Sequence, residues 1–114
     1  MDITQEVKAQ ILKQPLFKGT VVTGSMIPVI KVGEAIKVEV KAKNLKRFDI
    51  IVFVQDQKLI CHFLWQMNSK VLPRLYQTRN MFGGRDFPIS EEDYIGKVIS
   101  HKMKWYHIIK VLFL

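Results

Sequence analysis

Apolar residues change their spacing along the chain, from every fourth position near the N-terminus to every second position further on. The segment from Thr4 to Gln14 has apolar residues four positions apart and contains no Gly or Pro before Pro15. This pattern predicts a short amphipathic helix that Thr4 caps and Pro15 ends. Residues Ile36 to Lys41 instead alternate between apolar and polar. Alternation of this kind predicts a half-buried strand with Ile36, Val38 and Val40 on one face.

The middle of the chain has the residue types of β strands. Ile50 to Val54 is a continuous β-branched and aromatic run, which predicts a central strand covered on both faces. Four polar residues separate it from Leu59 to Trp65, and so short a polar loop between two strands predicts a β hairpin. Further predicted elements are a turn at Asn68 to Lys70, a strand at Val71 to Thr78 with Pro73 indicating an edge position, a loop at Arg79 to Pro88 and a strand at Tyr94 to Ser100. The pattern predicts a mainly β fold of antiparallel sheets with a short N-terminal helix.

The C-terminal segment from Trp105 to Leu114 is strongly apolar for a chain end. One interpretation is that it packs on the domain core or on a partner. Because Trp, Tyr and Lys beside aliphatic residues also suit a membrane interface, peripheral membrane contact through this tail is the other interpretation.

Length and charge limit the organisation of the protein. The 114 residues allow one domain, spanning residues 1–114, and the formal net charge is +8. Lys37 to Arg47 holds five basic residues and one acid, and Lys97 to Lys110 holds four basic residues and no acid. Such a bias favours phosphates, nucleic acid or an acidic membrane surface, but it also fits a solvated basic surface.

Several classes of protein are disfavoured. Cys61 is the only cysteine, which excludes an internal disulfide and a Cys-rich zinc module. No apolar run approaches the roughly 20 residues of a membrane span, and the N-terminus is acidic and polar where a signal peptide is basic and then apolar. We therefore expect a cytoplasmic protein, with a membrane-peripheral location as the alternative. The spacings of His62, His101 and His107 match no metal-ligand pattern, and phosphate-loop fingerprints are missing, so we expect neither a metal nor a cofactor.

The segment Gly24-Ser25-Met26-Ile27-Pro28 places a serine in a turn between Gly and Pro. A serine hydroxyl becomes a nucleophile when a base lies within hydrogen-bond reach and N–H groups hold the oxyanion. Gly24 permits the close backbone approach that a substrate carbonyl requires. Spacing alone favours an ordinary turn.

Five segments together change that assessment. In chain order they are Gly24 to Pro28, Val32 to Ile36, Phe48 to Phe53, Leu59 to His62 and Tyr94 to Val98. They resemble the successive motifs of the signal peptidase I family and its soluble relatives, over roughly residues 17 to 100. The resemblance implies a LexA/signal peptidase-like catalytic core.

The resemblance also implies a role for each matching residue. Ser25 matches the nucleophile and His62 the base, as in the histidine type of the family; imidazole, with an ordinary pKa near 6.5, is a competent base. The loop from Thr78 to Pro88 resembles the family's acid-bearing motif, and within it Asp86 matches the acid that orients the histidine. The Ser25 N–H is the expected oxyanion donor. Substrate is expected to add as an extended strand beside the segments that flank Ser25 and His62. The residues expected to bind it are Gly24, Met26, Pro28 and Cys61.

The expected function is a serine endopeptidase with a Ser-His dyad or a Ser-His-Asp triad, which cleaves a leader or another peptide bond in an extended substrate. Its expected partner is a peptide or protein, and the resemblance implies a small residue before the cleaved bond. The alternative is an inactive family member that acts as a basic module binding nucleic acid or a membrane surface. Nucleic acid is the less favoured partner, because 114 residues leave no room for a separate DNA-binding domain. The sequence does not determine the oligomeric state.

Overall fold

A seven-stranded antiparallel sheet and two helices make up the structure, a computed structural model that describes residues 4–68 and 74–114. The elements are α1 (Gln5–Leu12), β1 (Leu16–Thr20), β2 (Ala35–Val40), β3 (Ile50–Gln55), β4 (Lys58–Asn68), β5 (Leu75–Arg79), β6 (Ile89–Ser90), β7 (Tyr94–Val98) and α2 (Trp105–Leu112). The strand order is β1-β2-β7-β3-β4-β5-β6, and each neighbouring pair is antiparallel. The prediction of a mainly β fold with a short N-terminal helix is confirmed.

Helix α1 begins where the sequence predicted. The Thr4 side chain accepts a hydrogen bond from the Val7 N–H at 3.2 Å and so caps the first turn. The helix ends at Leu12, two residues before the predicted end. Because the ring of Pro15 disfavours helical dihedrals at the residue before it, the last turn cannot extend to Gln14.

The two strands predicted most directly from periodicity are also confirmed. In β2, Ile36 and Val38 are buried and alternate with exposed residues. The first four residues of β3 are buried, since β3 lies in the middle of the sheet between β7 and β4. The hairpin from β3 to β4 turns at Asp56 and Gln57, whose φ angles of 52° and 61° suit the two-residue turn that matches strand twist.

The last part of the sheet differs from the prediction. Leu75 and Tyr76 of β5 pair with β6, so β5 is not the edge strand there and the predicted edge position is wrong. The sequence pattern missed β6 because a two-residue strand has no measurable alternation. Pro73 and most of the predicted turn at 68–70 lie outside the described residues, and Asn68 itself belongs to β4. Strand β7 ends at Val98, two residues earlier than predicted.

Close contact between strands explains a glycine in β7. Gly96 pairs with Val40 of β2 and with Val52 of β3. A Cβ atom at this position would lie 2.3 Å from the carbonyl oxygen of Glu39. Only glycine therefore lets β7 fit between its neighbours at this spacing.

The apolar tail forms α2. One side of this helix packs on the domain core, as the first of the two interpretations expects. Val111 is buried in the core cluster, and Ile108 packs against it. The opposite side of the helix is exposed, with Trp105 at 71%. Neither helix in the described ranges is long and apolar enough to cross a bilayer.

Candidate active site

The turn that carries Ser25 is anchored from both of its sides. The Ile27 N–H donates to the Gly24 carbonyl at 3.1 Å, and the Ile30 N–H donates to the Met26 carbonyl at 3.0 Å. Met26 and Ile30 are buried in the core. Ser25 itself is half-buried, and its carbonyl accepts the N–H of Met81 at 2.9 Å. That last bond joins the serine turn to the loop between β5 and β6.

His62 lies on β4, at the point where one edge of that strand becomes uncovered. Its backbone pairs with Ile51 of β3 on one side, whereas the pairing of β5 with β4 begins only at Phe63. The imidazole is buried, with 8% of the residue exposed, and the Phe53 ring lies 6.0 Å from it between centroids. Burial and ring contact restrict the orientations that the imidazole can take.

Asp86 reaches His62 from the loop that follows β5. The side chain of Thr78 donates a hydrogen bond to Asp86 Oδ2 at 2.7 Å, and the Gln77 amide donates to the Asp86 carbonyl at 2.7 Å. The backbone N–H of Asp86 in turn donates to the Thr78 carbonyl at 3.2 Å. Three hydrogen bonds, one to the carboxylate and two to the backbone, therefore hold Asp86 in place against β5.

The three predicted catalytic side chains meet in one hydrogen-bonded chain. Ser25 Oγ lies 3.2 Å from His62 Nε2, and His62 Nδ1 lies 2.6 Å from Asp86 Oδ2. Because a carboxylate only accepts hydrogen bonds, the proton of the neutral imidazole is on Nδ1. Nε2 is then an acceptor for the serine hydroxyl, which is the arrangement that a general base needs.

A second Ser-His pair, which the sequence did not predict, provides a comparison. Ser100 Oγ lies 2.8 Å from His101 Nδ1, and His101 Nε2 lies 3.0 Å from Glu34 Oε2. Ser100 Oγ also accepts the Lys37 N–H at 2.9 Å, so the group ties the end of β7 to β2. The hydrogen bond from His101 lowers the pKa of Glu34 below its ordinary value. Neither Ser100 nor His101 lines the cavity beside Ser25.

An apolar cavity of about 380 Å³ opens beside Ser25 and His62. Its walls come from the end of β1 with the segment that follows, and from the first residues of β4. The lining residues are Phe17, Gly19, Thr20, Val21, Val22, Thr23, Ser25, Ile36, Val52, Lys58, Leu59, Ile60, Cys61 and His62. Most of these side chains are apolar, so the cavity suits apolar groups of a bound molecule.

One of the four predicted substrate-binding residues lines this cavity, namely Cys61. Burial raises the pKa of the Cys61 thiol to about 12, so the thiol stays protonated and forms part of the wall. Gly24 and Pro28 belong to the serine turn but do not line the cavity. Met26 is 1% exposed and packs in the core, so its side chain is not available to a substrate.

The sequence did not identify the other apolar walls, among them Phe17, Val21 and Val52. They come from β1, from the segment that follows it and from β3, and their strand-like pattern does not distinguish a cavity wall from a core position. Within the described residues, no group of three or more His, Cys, Asp and Glu side chains could hold a metal ion. His107 accepts the Lys104 N–H on Nδ1 at 3.0 Å, at the beginning of α2.

The chain has no match among protein-family models, curated proteins or solved structures. The chemistry of the site therefore follows from the geometry of Ser25, His62, Asp86 and the cavity beside them.

Proposed function

We propose that the protein is a serine endopeptidase in which Ser25 is the nucleophile and His62 the general base. The observation that carries this proposal is the hydrogen-bonded chain from Ser25 Oγ through His62 to Asp86, with distances of 3.2 and 2.6 Å. This chain lies at the edge of an apolar cavity with one uncovered strand edge beside it. A nucleophile, an oriented base and a place for substrate are the three parts that such a reaction needs.

In the first step, Ser25 Oγ forms a bond to the carbonyl carbon of the substrate while its proton moves to His62 Nε2. The negative charge of Asp86 stabilises the imidazolium that results. His62 then gives this proton to the leaving amine nitrogen as the carbon–nitrogen bond breaks, which leaves an ester on Ser25. A water molecule, deprotonated by His62, hydrolyses the ester and restores the serine hydroxyl.

The negative charge on the substrate oxygen needs donors close to Ser25. Among the hydrogen bonds of the described residues, none uses the Ser25 N–H, so this group is free to donate to the oxyanion. The Thr23 hydroxyl lies 3.3 Å from Ser25 Oγ, and Thr23 is one of the residues that line the cavity. We assign the Ser25 N–H as the principal donor and the Thr23 hydroxyl as a second one.

The substrate we propose is an extended peptide with apolar side chains near the cleaved bond. Residues 58–62 of β4 pair with β3 but not with β5, so their second edge can accept the backbone of a peptide strand. A cavity of about 150 Å³ already holds a molecule the size of benzene. The cavity beside Ser25, at about 380 Å³, therefore has room for more than one apolar side chain.

Cleavage of a defined mixture of synthetic peptides, read by mass spectrometry, tests the proposal. We expect the wild type to cut peptides with apolar residues near the cleaved bond, and the Ser25→Ala and His62→Ala variants to cut none. Ser100→Ala and His101→Ala are matched controls, because they remove a Ser-His pair of similar geometry away from the cavity. Equal cleavage by the wild type and Ser25→Ala would contradict the proposal.

A catalytically inactive module that binds nucleic acid is the second candidate function, and two contacts of the Trp65 ring favour it. The guanidinium carbons of Arg47 and Arg79 lie 4.0 and 3.6 Å from the centre of the Trp65 ring. Arginine and aromatic side chains together are typical of single-strand nucleic-acid sites. Salt-sensitive binding of single-stranded DNA that Arg47→Gln and Arg79→Gln abolish, in a protein that cuts no peptide, would favour the module over the peptidase.

A further inference from the structure

Helix α2 exposes apolar side chains on the side where a surface helix normally has polar ones. Trp105 and Ile109 lie four residues apart on one side of the helix, and Phe113 follows at the same interval directly after its last residue. Their exposed fractions are 71%, 48% and 85%. Val111, on the opposite side, is buried and fixes the helix on the core. The exposed stripe is therefore held outwards by the packing of the helix itself.

The charges around this stripe have one sign. After Asp93 the chain contains no acidic residue, and Lys102, Lys104 and Lys110 lie beside or within α2. All three lysines are exposed. A surface that combines Trp and Tyr with aliphatic residues and several lysines matches the chemistry of an anionic bilayer interface.

The exposed stripe continues onto the loop that carries Asp86. Lys110 Nζ lies 5.6 Å from the centre of the Phe82 ring, and Phe82 is 62% exposed. Leu114 is in contact range of Gly83, since a Cβ atom at that glycine would lie 3.6 Å from Leu114 Cβ. Met81 of the same loop is hydrogen-bonded to the Ser25 carbonyl. The tail and the candidate active site thus share one loop.

We infer that α2 and the C-terminal residues, with Phe82, dock the protein on the surface of an anionic lipid bilayer. In this docked state the aromatic and aliphatic side chains enter the interface, and the three lysines contact the phosphate groups. A second copy of the chain is the less favourable occupant, because it would bring two sets of these lysines together across the interface. The docked protein would hold Ser25 close to the lipid surface. Docking requires neither Ser25 nor His62, so its test is independent of the peptidase proposal.

Sedimentation with lipid vesicles tests this inference, with the Ser25→Ala variant of the full chain as the protein. We expect binding to vesicles that contain phosphatidylglycerol, and much weaker binding to vesicles of phosphatidylcholine alone. Each lysine near an anionic surface contributes about a fivefold change in binding, so Lys102→Gln, Lys104→Gln and Lys110→Gln combined should reduce it about a hundredfold. The Trp105→Ala/Phe113→Ala variant should reduce binding by about tenfold or more. Insertion of Trp105 should also shift its fluorescence to shorter wavelength.

The control for charge is a variant with Lys13, Lys18 and Lys43 changed to Gln, which has the same net charge as the first lysine variant. All three positions are exposed and lie outside α2. The inference is overturned if this control loses as much binding as the first lysine variant, or if the parent Ser25→Ala protein binds no anionic vesicle at low salt. It is also overturned if Trp105→Ala/Phe113→Ala binds like its parent.

The oligomeric state without lipid tests the other occupant. If the parent protein is a dimer and Trp105→Ala/Phe113→Ala is a monomer, a second copy of the chain covers the stripe instead. Because both aromatic side chains are largely exposed, unchanged thermal unfolding will show that these variants fold.

Discussion

Replacement of Asp86 by Asn keeps the size of the side chain and removes its charge. In the native site, Asp86 Oδ2 accepts hydrogen bonds from His62 Nδ1 at 2.6 Å and from the Thr78 hydroxyl at 2.7 Å. An asparagine carbonyl can still accept from both groups but no longer stabilises a positive imidazole. If the amide nitrogen faces His62 instead, the imidazole must carry its proton on Nε2. The Ser25 hydroxyl then has no base.

The size of the effect follows from what is lost. A hydrogen bond to a charged group contributes about 1.5–3 kcal/mol, and a wrong tautomer adds to that loss. A total of about 3–5 kcal/mol corresponds to a fall in rate of about 10²- to 10⁴-fold, since about 1.4 kcal/mol is a factor of ten. Folding stability should change much less, because the amide occupies the same space as the carboxyl group.

The second-order rate constant for modification of Ser25 by a fluorophosphonate measures this effect without a known substrate. Thr78→Val is the matched control, since it removes one donor to Asp86 but leaves the carboxylate on His62. We expect Asp86→Asn to slow modification by about a hundredfold or more, and Thr78→Val by about tenfold or less. A rate for Asp86→Asn within about threefold of the wild type, with native thermal unfolding, would refute the role given to Asp86.

Three further predictions concern other parts of the molecule. Gly96→Ala should lower the free energy of unfolding by about 3 kcal/mol and Tm by about 10 °C, measured by thermal denaturation, because the new Cβ would lie 2.3 Å from the Glu39 carbonyl oxygen. A Tm equal to that of the wild type would show that the strands can separate there without cost. Since its hydrogen bond to His101 lowers the pKa of Glu34 in the folded state, Glu34 stabilises the fold at neutral pH. The Tm difference between the wild type and Glu34→Gln should disappear as the pH falls through the lowered pKa, and a difference independent of pH would contradict this. Iodoacetamide should alkylate native Cys61 at about pH 8 at least about a hundredfold more slowly than the unfolded chain, because burial raises the thiol pKa to about 12. Equal rates would show that the thiol ionises as readily in the folded protein as in the unfolded chain.

Periodicity predicted the elements whose burial repeats regularly. The alternation in β2 and the continuous apolar run in β3 reflect one covered face and two covered faces, so both strands follow from the sequence. Periodicity cannot identify β6, because a strand of two residues is too short to show a repeat. It also does not assign α2, because that helix is apolar both on its buried side and on its exposed side. The placement of β5 inside the sheet depends on β6 and could not be predicted without it.

The candidate site also contains some residues that the sequence predicted and others that it did not. Ser25, His62 and Asp86 were predicted from the resemblance of short motifs to those of a known family, and the chemistry alone would not have singled them out. The cavity walls were largely missed, because Phe17 and Val52 have the pattern of ordinary strand residues and meet only in the folded chain. Of the residues expected to bind substrate, Met26 is a core residue, as a large apolar side chain within an anchored turn is expected to be.

The central claim is that His62 activates Ser25, and one measurement tests it most directly. The wild type, Ser25→Ala, His62→Ala and His101→Ala are each treated with a fluorophosphonate, and tandem mass spectrometry locates the adduct and follows its rate of formation. We predict an adduct on Ser25 in the wild type and in His101→Ala at the same rate, about a hundredfold slower formation in His62→Ala, and none in Ser25→Ala. Formation of the Ser25 adduct at the same rate in His62→Ala, or an adduct on Ser100 in place of Ser25, would contradict the account.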